Sequence, residues 1–439
     1  MFQKNRFPLL KFLSIALIFV SLPIGSLGQV SGGDRGMAES MLDNVRDSIK
    51  KNYFDPAFRG VDMDYVFEQA KTRLQAANTR DSLMITVASA VMAFDDSHTT
   101  FIPPSRAAAI DYGWRVAMIG DECYITRVRP GSDAESKGLK PGDKLISIDN
   151  FKPTRKNLWQ MFYRYFLIAP TARVNMVVQS PGEAQSKPLS IDTKITKTAK
   201  VISLQNYYDR GVVKEGWFDT KKLHEFAEFG SDLLIWKMHT FATSDQSIDD
   251  AVGRAKKFKT LILDLRGNGG GYVDALKRLV GQVMEKDTKI CDQKMRKSTK
   301  PQTAKAQSDP FKGKIVVLVD HDSASASELF ARVMQLEARG KIIGDRSAGA
   351  VMESQFYEME AGMGQNLWYG ASVTIADLIM SDGKSLEKIG VTPDEVMLPT
   401  GKDLSENRDP VLSYAATLAG VELSAEKAGM LFPYEWPKE

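Results

Sequence analysis

Two short segments carry residue types that could perform covalent chemistry. The first is VLVDHDSASASELF, in which Ser325 stands between alanines where an apolar run gives way to a helical pattern. A serine at such a turn presents its hydroxyl where the helix dipole and the next backbone N–H stabilise negative charge. The same residues fit the capping pattern S-x-x-E, with Glu328 as its last member. A nucleophile and a simple helix cap are therefore the two interpretations of Ser325.

The second segment is a glycine turn, RGNGGG, which ends at Gly271. It lies between the apolar run TLILDL and the helical pattern YVDALKRLVGQVM, so its backbone N–H groups could bind an anion or a developing oxyanion. The phosphate-loop pattern G-x-x-x-x-G-K-[ST] is absent, and the spacing does not fit G-x-G-x-x-G. The glycine turn is therefore either an oxyanion-binding site or an ordinary tight turn, and its pattern implies no bound nucleotide.

A serine nucleophile needs a base, and the chain offers four histidines. His224 lies in the polar stretch KKLHEFAEF and His239 in the strand-like LLIWKMHTF, where structural or exposed roles are favoured. His321 precedes Ser325 by four residues and is the best candidate on local grounds. His98, in DDSHTTFIPP, is distant along the chain, but catalytic groups assemble in space rather than in sequence.

The elements around these segments predict a layered α/β arrangement. From about residue 201 onward, the apolar runs TLILDLR, KIVVLVD and KIIGD alternate with amphipathic helical stretches. This alternation is typical of a largely parallel sheet, whose ligands bind at the carboxyl ends of the strands. Both candidate turns lie at such ends. Residues 285–312 are rich in Lys, Gln and Ser and are expected to form a solvated loop.

Upstream of this region the pattern changes twice. Residues 37–93 carry apolar side chains three and four positions apart, which predicts helices. Residues 112–191 contain short strand-like runs separated by the turns PGSD and KPGD, with one helical stretch, NLWQMFYRYFL. We therefore expect a signal peptide at 1–28, a helical domain at 29–106, a β-rich module at 107–195 and an α/β domain at 196–439.

The amino-terminal segment has the layout of a secretory signal. A basic start precedes an apolar run that breaks at Pro23 and reaches small residues near Gly28, and the run is shorter than a membrane span requires. Lys4, Arg6 and Lys11 account for the whole net charge of +3, because the rest of the chain carries equal numbers of basic and acidic residues. We expect export to the periplasm or the extracellular space, and no electrostatic partner such as nucleic acid.

Composition bounds the class of protein. The chain has 439 residues, of which 43% are hydrophobic and 26% charged, which excludes fibrous, disordered and polytopic membrane proteins. Two cysteines, Cys123 and Cys291, allow one disulfide or two free thiols and no metal-ligand spacing.

The β-rich module resembles a PDZ domain. The resemblance rests on VRPGSDAESKGLKPGDKLISIDN, in which a loop and a short helix precede G-x-x-x-G-D-x-[IL] and a strand. It implies that Gly142 permits a tight turn. It also implies that backbone N–H groups at Tyr112, Gly113 and Trp114 capture the terminal carboxylate of a peptide that adds a strand to the sheet.

The α/β domain resembles the C-terminal processing, or tail-specific, serine proteases. LDLRGNGGG followed by ASASE is similar to the core of that family, and so is the order of helical region, PDZ module and catalytic domain. The resemblance implies a crotonase/ClpP-like α/β protease core. It also implies that Ser325 is the nucleophile, that the N–H groups of Ala326 and Gly270 form the oxyanion hole, and that no metal or cofactor takes part.

The chain departs from that family at the residue that activates the serine. The family carries a lysine and, four residues later, a glutamine, whereas the similar segment GDRSAGAVMES places Ala350 and Ser354 at these positions. A Ser-Lys dyad is therefore not available by motif.

The DSHT segment is similar to the tricorn-type branch of these proteases, which uses a Ser-His pair and a later glutamate. By that resemblance Ser97 and His98 form the pair. The segment DGKSLEKIGVTPD places the acid at Glu387, with Glu353 a less favoured substitute. The implied chain runs from Glu387 through Ser97 to His98, which takes the Ser325 proton.

These observations predict an exported serine endopeptidase that acts on proteins or peptides and processes or degrades C-terminal tails. The alternative is a peptide- or ligand-binding protein on the same fold that has lost catalysis. The missing lysine and the retinoid-binding relatives of the tricorn-type branch keep this alternative open.

Overall fold

A computed structural model describes residues 30–104, 108–197, 222–361 and 367–436. The predicted signal peptide lies outside these residues. Within them no helix is both long enough and apolar enough to cross a lipid bilayer. The helices are α1 Gly32–Asn52, α2 Met63–Ala76, α3 Arg80–Met92, α4 Asp133–Ser136, α5 Leu158–Phe162, α6 Asp245–Ala255, α7 Val273–Val283, α8 Ala326–Leu336, α9 Gly401–Ser405, α10 Pro410–Leu418 and α11 Ala425–Met430.

A short π-helix, Tyr163–Ile168, continues α5. The strands fall into four sheets. The strands are β1 Thr100–Ile102, β2 Ala108–Asp111, β3 Trp114–Ile119, β4 Glu122–Val128, β5 Lys144–Ile148, β6 Arg173–Gln179, β7 Lys187–Asp192, β8 Lys194–Lys197, β9 His224–Phe229, β10 Leu233–Met238, β11 Thr260–Asp264, β12 Thr288–Met295, β13 Thr299–Ala304, β14 Lys314–Val319, β15 Lys341–Gly344, β16 Met352–Ala361, β17 Leu367–Met380 and β18 Glu395–Val396.

Helices α1 to α3 form the helical region that the sequence predicts. Ser31 and Thr79 cap α1 and α3 with capping boxes, which satisfy backbone N–H groups that a helix start leaves unpaired. The apolar face of α1 packs with α2, α3 and the long strand β17, so this region shares one core with the sheet that contains β17. His98 follows α3 and lies two residues before the start of β1, which pairs with β17.

The PDZ-like module is a five-stranded antiparallel sheet in the order β3-β4-β5-β6-β7. Alternate residues of β3, from Trp114 to Met118, point into its core, as expected for a strand with one buried face. Gly142 adopts a φ of +90°, and a Cβ there would lie 2.2 Å from the Gly401 carbonyl oxygen. The predicted tight turn is present, and it also contacts Gly401 of the α/β domain.

The α/β domain is built on a six-stranded sheet in the order β18-β15-β14-β11-β10-β9. All neighbours are parallel except β9 and β10, so the predicted parallel α/β layout is confirmed. Helices α6, α7 and α8 cover one face and α10 and α11 the other. The four inner strands β10, β11, β14 and β15 are buried on both faces, which explains their continuous apolar sequences.

A second sheet joins β1, β17, β12 and β13, with β16 paired to β17. The prediction of a solvated loop at residues 285–312 is wrong, because this stretch forms the antiparallel pair β12 and β13. Ile290, Cys291 and Ala304 are buried against the main core, while the outward side chains are polar. A few buried positions were enough to fix a sheet in a segment whose average composition resembles a loop.

The two cysteines are free thiols. Cys123 is buried in the core of the PDZ-like module, and Cys291 is buried in the core of the α/β domain. Burial raises the pKa of the Cys291 thiol to about 12, so it stays protonated and unreactive at neutral pH.

Candidate active site

Ser325 lies at the N-cap of α8, beyond the carboxyl end of β14. Its φ is +56°, a left-handed conformation that costs a non-glycine residue about 1–3 kcal/mol. Two acceptors hold its N–H, the Ala350 carbonyl oxygen at 3.0 Å and Glu328 Oε2 at 3.1 Å. The glutamate of the S-x-x-E pattern therefore does return to Ser325, and the strained turn is fixed from two directions.

The glycine turn packs directly on Ser325. A Cβ at Gly270 would lie 2.7 Å from Ser325 Cβ and 3.0 Å from the Ala326 nitrogen, so only glycine fits there. The Ala326 N–H, in the first turn of α8, donates to no acceptor among the described residues. The Gly270 N–H, which was predicted to bind the oxyanion, donates a hydrogen bond to Asn268 Oδ1 at 2.9 Å in this structure. The asparagine provides an acceptor inside the turn that the glycine pattern did not suggest.

Asn268 ties the glycine turn to the serine turn. Its side chain is fully buried, and its Nδ2 donates to the Met238 carbonyl oxygen at 2.9 Å. Its backbone carbonyl oxygen accepts hydrogen bonds from the Ala324 N–H at 3.0 Å and from Ser327 Oγ at 2.8 Å. Sequence reasoning missed this residue, although a lone amide among glycines is a recognisable signal.

His98, Ser97 and Glu387 form a continuous chain of hydrogen bonds. Ser97 Oγ lies 2.7 Å from His98 Nδ1 and donates to Glu387 Oε2 at 2.8 Å. The Ser97 N–H also donates to Glu387 Oε1, at 2.9 Å. Glu387 belongs to the loop after β17, 290 residues away along the chain, and the fold brings it to the end of the helical region.

The backbone of Ala350 and Val351 connects this chain of hydrogen bonds to Ser325. The Ala350 carbonyl oxygen accepts the Ser325 N–H at 3.0 Å. The next residue, Val351, donates its N–H to Glu387 Oε2 at 2.9 Å. Consecutive backbone groups thus position both the serine and the glutamate, and Ala350 stands beside Ser325 as the sequence comparison implied.

The surroundings of His98 favour the neutral imidazole. Burial lowers the pKa of His98, and the charge of Asp96 opposes this only in part. Asp96 Oδ1 accepts the His98 N–H at 2.9 Å, which fixes the backbone, and its Oδ2 accepts from Tyr53 Oη at 2.7 Å. Burial also raises the pKa of Glu387, against the hydrogen bonds from Ser97 and Val351. The histidine is therefore ready to accept a proton near neutral pH.

Glu328 is a second buried carboxylate, with no exposed surface. Its Oε1 accepts from Ser347 Oγ at 2.5 Å and Gly349 N–H at 2.8 Å, and its Oε2 from the N–H groups of Ser325 and Ala350. Burial raises its pKa to about 7, while these donors stabilise the ionised form. Four donors on two oxygens make Glu328 the residue that fastens the 347–350 segment to the start of α8.

The other histidines are weaker candidates for the base, because His321 has a strongly lowered pKa and the rings of His224 and His239 bond to other side chains. Burial and the Arg155 and Arg346 guanidinium groups lower the pKa of His321 to about 3, which leaves it a very weak base. His239 bonds to Glu225, and His224 bonds to Trp236 Nε1 and Thr243 Oγ1.

Glu353 does not meet Ser97. It lies on β16, where its Oε2 accepts a hydrogen bond from Gln293. Of the two glutamates that the sequence offered, the structure therefore brings only Glu387 to Ser97 and His98.

The predicted carboxylate loop of the PDZ-like module is partly closed. Tyr112 and Trp114 are buried core residues. The Gly113 N–H, expected to face an incoming peptide, donates to Asp111 Oδ1 at 2.9 Å. The other oxygen of Asp111 lies 2.8 Å from Arg129 Nε. An internal carboxylate thus occupies part of the cradle that a peptide terminus would need.

Comparison with known proteins identifies the domains. Residues 232–397 match the model of Peptidase family S41, and residues 108–160 match that of the PDZ domain. The α/β domain is thus similar to Peptidase family S41 over these residues. The protein is a serine-type peptidase, as the sequence predicted, and its substrates are proteins or peptides. The S41 match contains Ser325, Glu387 and the glycine turn, whereas His98 lies outside both matches.

Relatives of known name agree with the S41 assignment. A chloroplastic C-terminal processing peptidase of Tetradesmus obliquus is 22% identical over 366 residues, covering 80% of this chain and 75% of that protein. A carboxyl-terminal-processing protease of Picosynechococcus sp. is 23% identical over 332 residues, covering 73% and 74%. The solved photosystem II D1 C-terminal processing protease shares the fold, with a TM-score of 0.52, 19% identity, and 92% and 100% of the two chains covered.

Proposed function

We propose that Ser325 is the nucleophile of this peptidase and that His98 is its general base. Ser325 Oγ attacks the scissile carbonyl, and His98 takes its proton and then returns a proton to the leaving amine. The observation that carries this proposal is the hydrogen-bonded chain from Glu387 through Ser97 to His98.

The chain of hydrogen bonds selects one tautomer of His98. An ionised Glu387 only accepts hydrogen bonds, so the single hydroxyl proton of Ser97 points to Glu387. Ser97 Oγ must then accept from His98 Nδ1–H. This leaves the lone pair on His98 Nε2, the nitrogen that a general base needs. Glu387 and Ser97 are positioning residues that hold the imidazole in this form.

The oxyanion of the tetrahedral intermediate needs backbone donors. The Ala326 N–H supports this role, since no described acceptor uses it and the helix dipole favours negative charge there. The Gly270 N–H is the second donor in our proposal, and it would be shared between Asn268 Oδ1 and the oxyanion.

We also propose that the enzyme is exported and that it processes or degrades C-terminal tails. The basic and apolar amino-terminal segment supports export. Relatives named C-terminal processing peptidases support tail processing. The PDZ domain would hold a substrate's terminal carboxylate, with Arg129 supplying the charge beside Gly113.

A fluorophosphonate probe tests the catalytic assignment, because it labels only an activated serine. Mass spectrometry should locate the adduct on Ser325, and His98→Ala should slow labelling by about 10²–10⁴-fold. His321→Ala is the matched control and should label at the unaltered rate. An adduct on a different serine, or rapid labelling without His98, would overturn the assignment.

A further inference from the structure

Three arginines share one face of the PDZ sheet, which we call the arginine face. Arg115 on β3 and Arg127 on β4 are direct cross-strand partners, and Arg129 follows Arg127 by two residues. Like charges opposite each other on neighbouring strands destabilise a sheet. Anionic or electron-rich groups near the guanidinium groups stabilise such an arrangement, and the Asp111 carboxylate beside Arg129 is one of them.

The chain's own C-terminal segment covers the arginine face. The ring of Trp436 lies 4.8 Å from Arg129 Cζ and 5.1 Å from Arg115 Cζ. The ring of Tyr434 lies 5.9 Å from Arg127 Cζ and meets the Trp436 ring edge-on at 5.2 Å. Aromatic faces attract cations at such distances. These rings thus act as an internal ligand of the PDZ domain.

We call residues 434–436 the C-terminal clasp. Its middle residue, Glu435, accepts from Lys222 Nζ at 2.8 Å, which ties the clasp to the catalytic domain as well. Both side chains of this ion pair are about half exposed, at 47% for Lys222 and 59% for Glu435. Exposed ion pairs are weak, so a competing ligand could displace the clasp without unfolding the protein.

The arginine face adjoins the loop that would hold a peptide terminus. Arg129 Nε lies 2.8 Å from Asp111 Oδ2, and Oδ1 of the same carboxylate accepts the Gly113 N–H. A peptide whose carboxylate reached Gly113 would therefore meet the Arg129 guanidinium, which lies against the Trp436 ring together with that of Arg115.

We propose that the clasp is a built-in competitor of substrate C-termini at the PDZ domain. This inference rests on the proposed capture of C-termini by that domain. A peptide with a free α-carboxylate displaces Trp436 and takes its place on Arg115 and Arg129, where the charge-assisted hydrogen bonds are stronger. Because the clasp occupies the site in the free protein, the apparent affinity for a peptide is reduced by the fraction of molecules in which the clasp is docked.

Peptide binding to the full chain and to a variant that ends after Pro433 tests the competition, both in a Ser325→Ala background that prevents cleavage. The probe is a fluorescent decapeptide with the sequence of residues 427–436 and a free carboxylate, followed by anisotropy. We expect the truncated protein and Trp436→Ala to bind it at least about fivefold more tightly than the intact chain. Tyr65→Ala, which removes an aromatic residue that is 64% exposed on α2, is the matched control and should bind like the intact chain.

The amide form of the same peptide separates the two levels of the proposal. If the acid binds better than the amide, but equally well with and without the clasp, the competition is wrong and carboxylate capture stands. If acid and amide bind equally, or neither binds, carboxylate capture itself is wrong and the competition falls with it. Tighter binding to Tyr65→Ala would also overturn the role of the clasp.

Discussion

The carbonyl of Ala350 accepts the N–H of Ser325 at 3.0 Å, so the residue at the position where the resemblance implied a lysine stands beside the serine. This segment positions Ser325 through a backbone group, and the Ala350 side chain supplies no base. Our proposal therefore gives proton transfer to His98, which the hydrogen bonds with Ser97 and Glu387 hold in place.

Ser325→Ala should abolish peptide hydrolysis and leave the fold intact. The substitution removes the attacking oxygen while the N–H bonds to Ala350 and Glu328 remain possible. The free energy of unfolding should change by no more than ~1 kcal/mol. Turnover of a casein substrate and urea denaturation of the purified variant measure the two effects, and measurable turnover would remove Ser325 from the mechanism.

His98→Ala should lower kcat by about 10²–10⁴-fold, the usual contribution of a general base. In the unaltered enzyme, kcat/KM should fall as the pH drops through the pKa of His98, because protonation removes the acceptor lone pair. Burial lowers that pKa, so the acid limb of the profile should lie below the ordinary histidine value of 6.5. An acid limb that persists unchanged in residual His98→Ala activity would contradict this prediction.

Glu387→Gln should lower kcat less than His98→Ala does, by about tenfold, because it weakens roughly one orienting hydrogen bond worth ~1.4 kcal/mol. Three donors face the two carboxylate oxygens, and an amide can accept at only one of its ends. KM should stay near its original value, since the residue does not touch substrate. Glu353→Gln is the matched control and should leave kcat unchanged.

Glu328→Gln should destabilise the protein by about 1–3 kcal/mol, because an amide nitrogen would face donors that the carboxylate now satisfies. Chemical denaturation measures the loss, and kcat should fall as well because the segment that holds Ser325 loosens. The same substitution at Glu337, which pairs on the surface with Lys286, should change stability by less than ~1 kcal/mol. Equal losses of stability at the two positions would show that Glu328 does not hold the 347–350 segment to the start of α8.

His321→Gln should make the protein more resistant to acid and leave activity unchanged. The folded pKa of His321 is about 3, below its ordinary value of 6.5, so the unfolded chain binds the extra proton between these values. Stability therefore falls as the pH drops from 6.5 toward 3, and the substitution removes that contribution. Unfolding free energies of both proteins at pH 7 and pH 4.5 give the comparison, and parallel losses would contradict it.

Local sequence patterns predicted the parts of the site that local structure creates. The apolar run before the serine, the S-x-x-E cap and the glycine turn all depend on neighbours within a few residues, and each is present. The approach of Glu387 to Ser97 could be inferred only through resemblance, since 290 residues separate them. No pattern in either segment encodes their distance.

Other features could not be predicted because they are tertiary choices among equivalent partners. Any of several acceptors could have taken the Gly270 N–H, and the fold gives it to Asn268. The Gly113 N–H likewise goes to Asp111. The strands β12 and β13 form in a polar segment because a core lies under one of their faces, which composition alone does not reveal.

The left-handed backbone at Ser325 has an evolutionary consequence. Glycine adopts a φ of +56° without the steric cost that serine bears, so a mutation to glycine there relieves strain. A lineage released from the need to hydrolyse peptides would gain stability from that single change and would have no reason to reverse it. Serine at this position therefore carries a steric cost that glycine would not, and glycine is the replacement that we expect first in a descendant that only binds its ligand.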